Sequence, residues 1–114
     1  MKTKKAIVFG GAGFLGSHVA DQLILKGYDV TVFDRVESPW IVNSQTTIVG
    51  DILNKEDVDT AVSGCDYVFN FAALADINDA MLRPVETVKT NILGTVNILE
   101  ACRRYNVDRF IFAS

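Results

Sequence analysis

Three glycines, Gly10, Gly13 and Gly16, follow a short apolar run, Ala6-Ile7-Val8-Phe9, and lead into a helical pattern from Phe14 to Lys26. Glycine at this spacing lets a chain turn sharply out of a strand. It also lets backbone N–H groups approach a pyrophosphate and lets the following helix pack close to a sheet. The start of that helix adds unpaired N–H groups and a partial positive charge. Asp34 follows 18 residues beyond Gly16, at the end of the next apolar run. A carboxylate there can accept both hydroxyls of a ribose and repels a 2′-phosphate. The chemistry implied is recognition of a dinucleotide, NAD in preference to NADP, although Arg35 could still tolerate a phosphate. Further on, Asp51 in Gly50-Asp51-Ile52 could meet an adenine amino group, or it is ordinary turn chemistry.

These groups need a scaffold, and strand and helix patterns alternate along the whole chain. Apolar runs rich in Val, Ile and Phe predict strands at Lys5–Phe9, Asp29–Asp34, Thr46–Val49, Tyr67–Phe71 and Arg109–Ala113. Their continuity suits parallel strands covered on both faces. The first helix carries Leu15, Val19, Leu23 and Ile24 on one side and stops at Gly27. Asn54 caps a short helix at about 55–62. A long helix runs from about Pro84 to Tyr105. Its stripe of Val85, Val88, Ile92, Val96 and Leu99 predicts a buried face, which Ile98, Cys102 and Tyr105 widen to a second side. The segment Arg35–Gln45 reads as a loop. Its Trp40 could stack on an adenine ring or pack on its own loop.

The fold class predicted is α/β: a Rossmann-like, doubly wound parallel sheet of five strands in the order 3-2-1-4-5, forming one domain over residues 1–114. Right-handed crossovers put the first helix on one face and the other two on the opposite face. With 49% apolar residues the chain can bury a core, and a net charge of -3 argues against nucleic acid as a partner. Lys2, Lys4 and Lys5 read as a solvated lead-in to the first strand. No apolar run approaches a membrane span and no signal peptide is apparent. Cys65 and Cys102 lack metal or redox-motif spacing, which suits reduced cysteines and a cytoplasmic location. His18 reads as a core or capping residue, Asp76, Asn78 and Asp79 as a helix-start loop, and Glu56, Asp57 and Asp59 as a solvated helix face.

Taken together, Val8-Phe9-Gly10-Gly11-Ala12-Gly13-Phe14-Leu15-Gly16-Ser17-His18 resembles the opening of the extended short-chain dehydrogenases/reductases, the NAD-dependent epimerase/dehydratase family. The resemblance continues through Gly50-Asp51-Ile52, Asn70-Phe71-Ala72-Ala73, the stretch from Asn91 to Cys102, and Arg109 to Ser114. Among members the chain looks most like the nucleotide-sugar 4-epimerases. The resemblance implies that Phe14 and Leu15 offer N–H groups to the pyrophosphate, Asp34 holds the ribose, and Asp51 and Ile52 border the adenine. Phe71, Ala72, Ala73 and Leu74 would line the dinucleotide beyond the fourth strand. Asn91 would face the cleft from the long helix, and Ser114 would lie near the nicotinamide. Phe9 stands where many members carry Thr, and Asn70 where many carry His.

The family's chemistry uses a Tyr-x-x-x-Lys pair on the helix after the fifth strand, the Tyr as acid/base and the Lys lowering its pKa. Tyr28, Tyr67 and Tyr105 each lack Lys four residues later. The expectation is therefore the NAD-binding part of a nucleotide-sugar epimerase or dehydratase, truncated before the catalytic helix and inactive alone. In the full-length parent, a hydride would pass from a sugar carbon to NAD and return to the opposite face. The alternative is a non-enzymatic module that senses NAD(H), and a third reading is an apolar assembly element with a vestigial cleft. An uncovered fifth strand and long helix further predict self-association.

Overall fold

The computed structural model describes residues 3–37, 45–72 and 81–112. Trp40, Ala73, Leu74, the Asp76–Asp79 cluster and Ser114 lie outside them. The elements are β1 (Lys5–Phe9), α1 (Phe14–Leu25), β2 (Asp29–Asp34), β3 (Gln45–Val49), α2 (Lys55–Val62), β4 (Tyr67–Asn70), α3 (Pro84–Arg104) and β5 (Arg109–Phe112). All strand pairs are parallel, and the order β3-β2-β1-β4-β5 is the one expected from sequence. Several bounds differ by one residue: β3 begins at Gln45, β4 ends at Asn70, and α1 and α3 each stop one residue early.

Alternation along the strands sorts the side chains into two cores. Ile7, Phe9, Phe33 and Val68 face α2 and α3, meeting Val58, Val62, Ile98 and Ala101. Ala6, Val8, Val30 and Val32 face α1, meeting Ala20 and Leu23. The helices therefore divide between the faces as right-handed crossovers require. The register aligns Phe9 with Phe33 on one side and with Asn70 on the other. The residues that follow these three, Gly10, Asp34 and Phe71, consequently emerge side by side at the C-terminal edge of the sheet.

Local signals set the helix ends. Gly27 takes φ +90 after α1, and Tyr28 N–H returns to the Leu23 carbonyl at 3.1 Å. Asn54 Oδ1 accepts from Asp57 N–H at 3.1 Å to cap α2. Pro84 opens α3, where its missing N–H costs nothing. Asp59 on α2 takes Lys55 at 2.7 Å and Arg104 of α3 at 2.6 Å, and these cations, Lys55 foremost, hold its carboxyl below its ordinary pKa.

The long helix corrects the sequence reading. Val85, Val88, Ile92, Val96 and Leu99, expected to be buried, are 47% to 78% exposed. The seam that packs inward is instead Gly94, Ile98 and Ala101, with Thr87 and Asn91 half-buried toward its start. Small residues let α3 lie close: a Cβ on Gly94 would come 2.3 Å from Ile52 Cδ1. In α1 the buried residues are likewise Gly16, Ser17, Ala20 and Leu23, and Leu15 is exposed. On β5, Phe110 is half-buried and Phe112 half-exposed, their rings stacked at 6.3 Å.

The reassigned seam gives a direct contrast. Ile98→Ala should cost about 2–5 kcal/mol by opening a cavity, whereas Ile92→Ala, read at a dilution that holds the chain monomeric, should stay within about 0.5 kcal/mol. Urea unfolding of both variants, read by circular dichroism, checks this; equal losses would restore the apolar stripe as the buried face.

Candidate functional site

The turn after β1 crosses the tip of β2. Gly10 and Gly11 N–H groups both donate to the Phe33 carbonyl, at 2.8 and 3.4 Å, and Gly13 N–H closes the turn on Gly10 at 3.1 Å. The glycines are required for different reasons. At Gly10, φ is +78, and a Cβ would lie 2.7 Å from the Phe71 carbonyl carbon and 2.8 Å from Ala72 N. At Gly16 it would lie 2.3 Å from the Gly10 carbonyl oxygen, and at Gly11 2.2 Å from Val32 Cγ1. Gly13 differs, since a Cβ there meets nothing closer than 3.4 Å.

Helix α1 starts with its dipole uncompensated. Gly13 provides no side-chain cap, and the first turn holds no acidic residue. The opening N–H groups, Phe14 and Leu15 among them, have no intrahelical acceptor and favour an anion. The Phe14 side chain turns outward, its ring edge-on to His18 at 4.6 Å. His18 is therefore an exposed residue packed on Phe14, not the core or capping residue expected.

Asp34 shares the parity of Val30 and Val32, so its carboxylate points to the α1 side of the sheet. There Oδ2 accepts from Ala12 N–H at 2.9 Å, and Oδ1 accepts from Arg35 N–H at 2.7 Å. The bond to Ala12, which sequence reading missed, ties the glycine turn to the end of β2. Each oxygen keeps further acceptor capacity for a ligand hydroxyl.

A cleft of about 220 Å³ opens between these tips and α3. Of the residues singled out from sequence, Gly10, Gly13, Asp34, Arg35, Ile52, Phe71 and Ala72 line it. Phe33 and Thr90 also line it and were not foreseen. The signal for Phe33 was its place beside Asp34 on the opposite face; Thr90, a lone threonine in a helix, carried none. Asn91, next to Thr90, is half-buried on α3. A more polar recess of about 260 Å³ adjoins the cleft through Arg35 and Thr90. Asp51 belongs to that recess, its Oδ1 accepting from Leu53 N–H at 2.9 Å.

The two departures from the family pattern have structural roles. Phe9 is fully buried, its ring 4.8 Å from that of Phe33. Asn70 is 1% exposed; its Oδ1 accepts from Ala72 N–H at 3.0 Å, and its Nδ2 has no hydrogen-bond partner. Among the described residues no three His, Cys, Asp or Glu cluster as metal ligands. Burial pushes the Cys65 and Cys102 thiols up to about 11, so both stay protonated at neutral pH. No helix among the described residues is long and apolar enough to cross a membrane.

The sheet order reverses between β1 and β4, and the cleft lies outside the strand ends at that point, where ligands of doubly wound sheets bind. Glycine turn, acidic β2 terminus and switch-point cleft define a Rossmann-like domain. Residues 6–114 match the NAD dependent epimerase/dehydratase family, and the chain belongs to it. The UDP-glucose 4-epimerase of Thermotoga maritima, solved with UDP-glucose, superposes with a TM-score of 0.90 at 35% identity, over 96% of this chain and 37% of that one. The Thermus thermophilus UDP-glucose 4-epimerase in complex with NAD gives 0.87 at 32% identity, over 96% and 37%. A 3-beta-hydroxysteroid dehydrogenase of Mycolicibacterium neoaurum is 37% identical over 96% of this chain and 31% of its own length. The chain thus spans about a third of the length of these relatives.

The unequal surroundings of the glycines yield a prediction. Gly16→Ala should lower the melting temperature by about 8–24 °C, because a Cβ 2.3 Å from a backbone oxygen puts the overpacking cost in the upper part of its usual range, about 2–3 kcal/mol. Gly13→Ala should melt within about 5 °C of the parent chain. Thermal denaturation of the pair decides it, and similar melting temperatures would refute the assignment of distinct roles.

Proposed function

We propose that this chain is the NAD-binding part of a nucleotide-sugar epimerase or dehydratase. The observation that carries this reading is the convergence of the glycine turn, Asp34 and the Phe71–Ala72 backbone on one switch-point cleft. The residues present fit a dinucleotide. Gly13 leaves room before the start of α1, where a pyrophosphate would take the N–H groups of Phe14 and Leu15. Asp34 would hold the adenosine ribose, with Asp51 and Ile52 along the adenine. Ala72 keeps the opposite wall low; Ala73 and Leu74 are proposed to line the dinucleotide beyond β4, Asn91 to face it from α3, and Ser114 to serve the nicotinamide end. When bound, NAD would supply the hydride acceptor for transient oxidation of a sugar carbon.

NAD is favoured over NADP because the Asp34 carboxylate would face a 2′-phosphate of like charge, which Arg35 offsets only in part. A nucleotide sugar is favoured as the parent's substrate because similar solved structures are UDP-glucose 4-epimerases. With no Tyr followed four residues later by Lys, these 114 residues are proposed to bind without turnover.

Calorimetric titration tests the reading. NAD should bind at least about tenfold more tightly than NADP, a difference of 1.4 kcal/mol. Asp34→Ala should weaken NAD by a similar factor while removing the preference. UDP-glucose with NAD should give no product. Absence of binding by either nucleotide would overturn the proposal.

The exposed stripe of α3, together with Phe112, supports self-association of the chain through that helix or the β5 edge. Sedimentation velocity at micromolar concentration should show a dimer or larger species, and Ile92→Glu should shift it toward monomer. A wholly monomeric parent chain would refute this.

A further inference from the structure

Ile52 lines the cleft from a turn that belongs to neither a strand nor a helix, between β3 and α2. Inside that turn, Asn54 N–H donates to the Asp51 carbonyl at 2.9 Å, Leu53 N–H to Asp51 Oδ1 at 2.9 Å, and Asp51 N–H to Asp57 Oδ2 at 3.2 Å. These bonds give the turn its shape and join it to α2. Gly50 N–H, donating to the Asp34 carbonyl at 3.0 Å, holds the entrance of the turn to β2, and what remains is to hold Ile52 itself.

That job falls to α3. Asn97 Nδ2 donates to the Ile52 carbonyl oxygen at 2.9 Å, across 45 residues of chain. One helical turn earlier, on the same face, Gly94 leaves the space that the Ile52 side chain fills. Ile52 is 6% exposed, so its position is set by what it packs on and not by solvent. Asparagine is a poor residue for a helix interior, because its amide competes with the helix for backbone partners. Here the amide spans to another element, which accounts for its presence on α3.

We infer that Asn97 is a positioning residue for the adenosine end of the dinucleotide: through the Ile52 carbonyl it holds the wall against which that end would lie. The inference rests on the NAD-binding reading above and adds a residue that touches no ligand.

The test is calorimetric titration of NAD, AMP and inorganic pyrophosphate into the chain and two variants, at a temperature where circular dichroism shows each folded. Asn97→Ala removes the donor; Asn97→Asp keeps the shape, but at neutral pH presents an acceptor to the carbonyl. Both should weaken NAD and AMP by the same factor, roughly fivefold for one lost hydrogen bond. Pyrophosphate, bound at the glycine turn, should keep its affinity. A merely structural Asn97 would loosen all three ligands together, and that result would overturn the inference. So would unchanged affinities in both variants. If the parent chain binds neither NAD nor AMP, the NAD-binding reading itself falls and takes this one with it. If one variant fails to fold, the other decides.

Discussion

The contact between the backbone after β1 and the backbone after β4 governs the arrangement of the cleft. Only a glycine at position 10 lets the two chains come this close, because any Cβ would overlap Phe71 and Ala72. The approach depends in turn on the register, which sets Phe9, Phe33 and Asn70 at the same level. From this single constraint the rest follows in order. The turn is thrown across Phe33, Gly16 is forced against the Gly10 carbonyl, and α1 starts with its N–H groups directed past Gly13. Asn70 secures the other side by accepting the Ala72 N–H. Fold and site are thus one object here: the packing that closes the sheet also shapes the cleft.

Electrostatics at the cleft are arranged with similar economy. Asp34 accepts two backbone N–H groups, which fixes its carboxylate before any ligand arrives. A preorganised acceptor of this kind would lose little side-chain freedom on meeting a ligand. That negative charge stands beside the positive end of α1, whose own first turn holds no acidic residue. The cleft therefore pairs one fixed anion with one fixed cationic end, the pattern suited to a ligand whose ribose and phosphates lie next to each other.

The strand order and the glycine turn were legible in the sequence because each leaves a strong local mark: continuous apolar runs for strands buried on both faces, and glycine where backbone crowds backbone. The docking face of α3 was not legible for the converse reason. Hydropathy finds what is apolar, whereas this helix approaches its neighbours through Gly94 and Ala101 and leaves its valines outside. The bond from Ala12 to Asp34 could not be read because it depends on strand parity and turn geometry together. Thr90 escaped because a lone threonine in a helix carries no periodic signal, while the resemblance drew attention to Asn91. His18 was misjudged because its partner, Phe14, lies one turn away and outside the core.

The placement of β1 at the centre of the sheet has a consequence for how the molecule is made. β1 is synthesised before both of its neighbours, which come from distant parts of the chain, and Tyr67–Asn70 is the later of them. Until β4 emerges, one side of the most apolar strand is an open ladder of N–H and C=O groups. Parallel pairings of this kind form slowly, because each needs a long loop to close. A nascent chain carrying β1 to β3 alone would therefore present an edge competent to pair with another copy of itself. The central strand that organises the finished cleft is, during synthesis, the segment most in need of shielding.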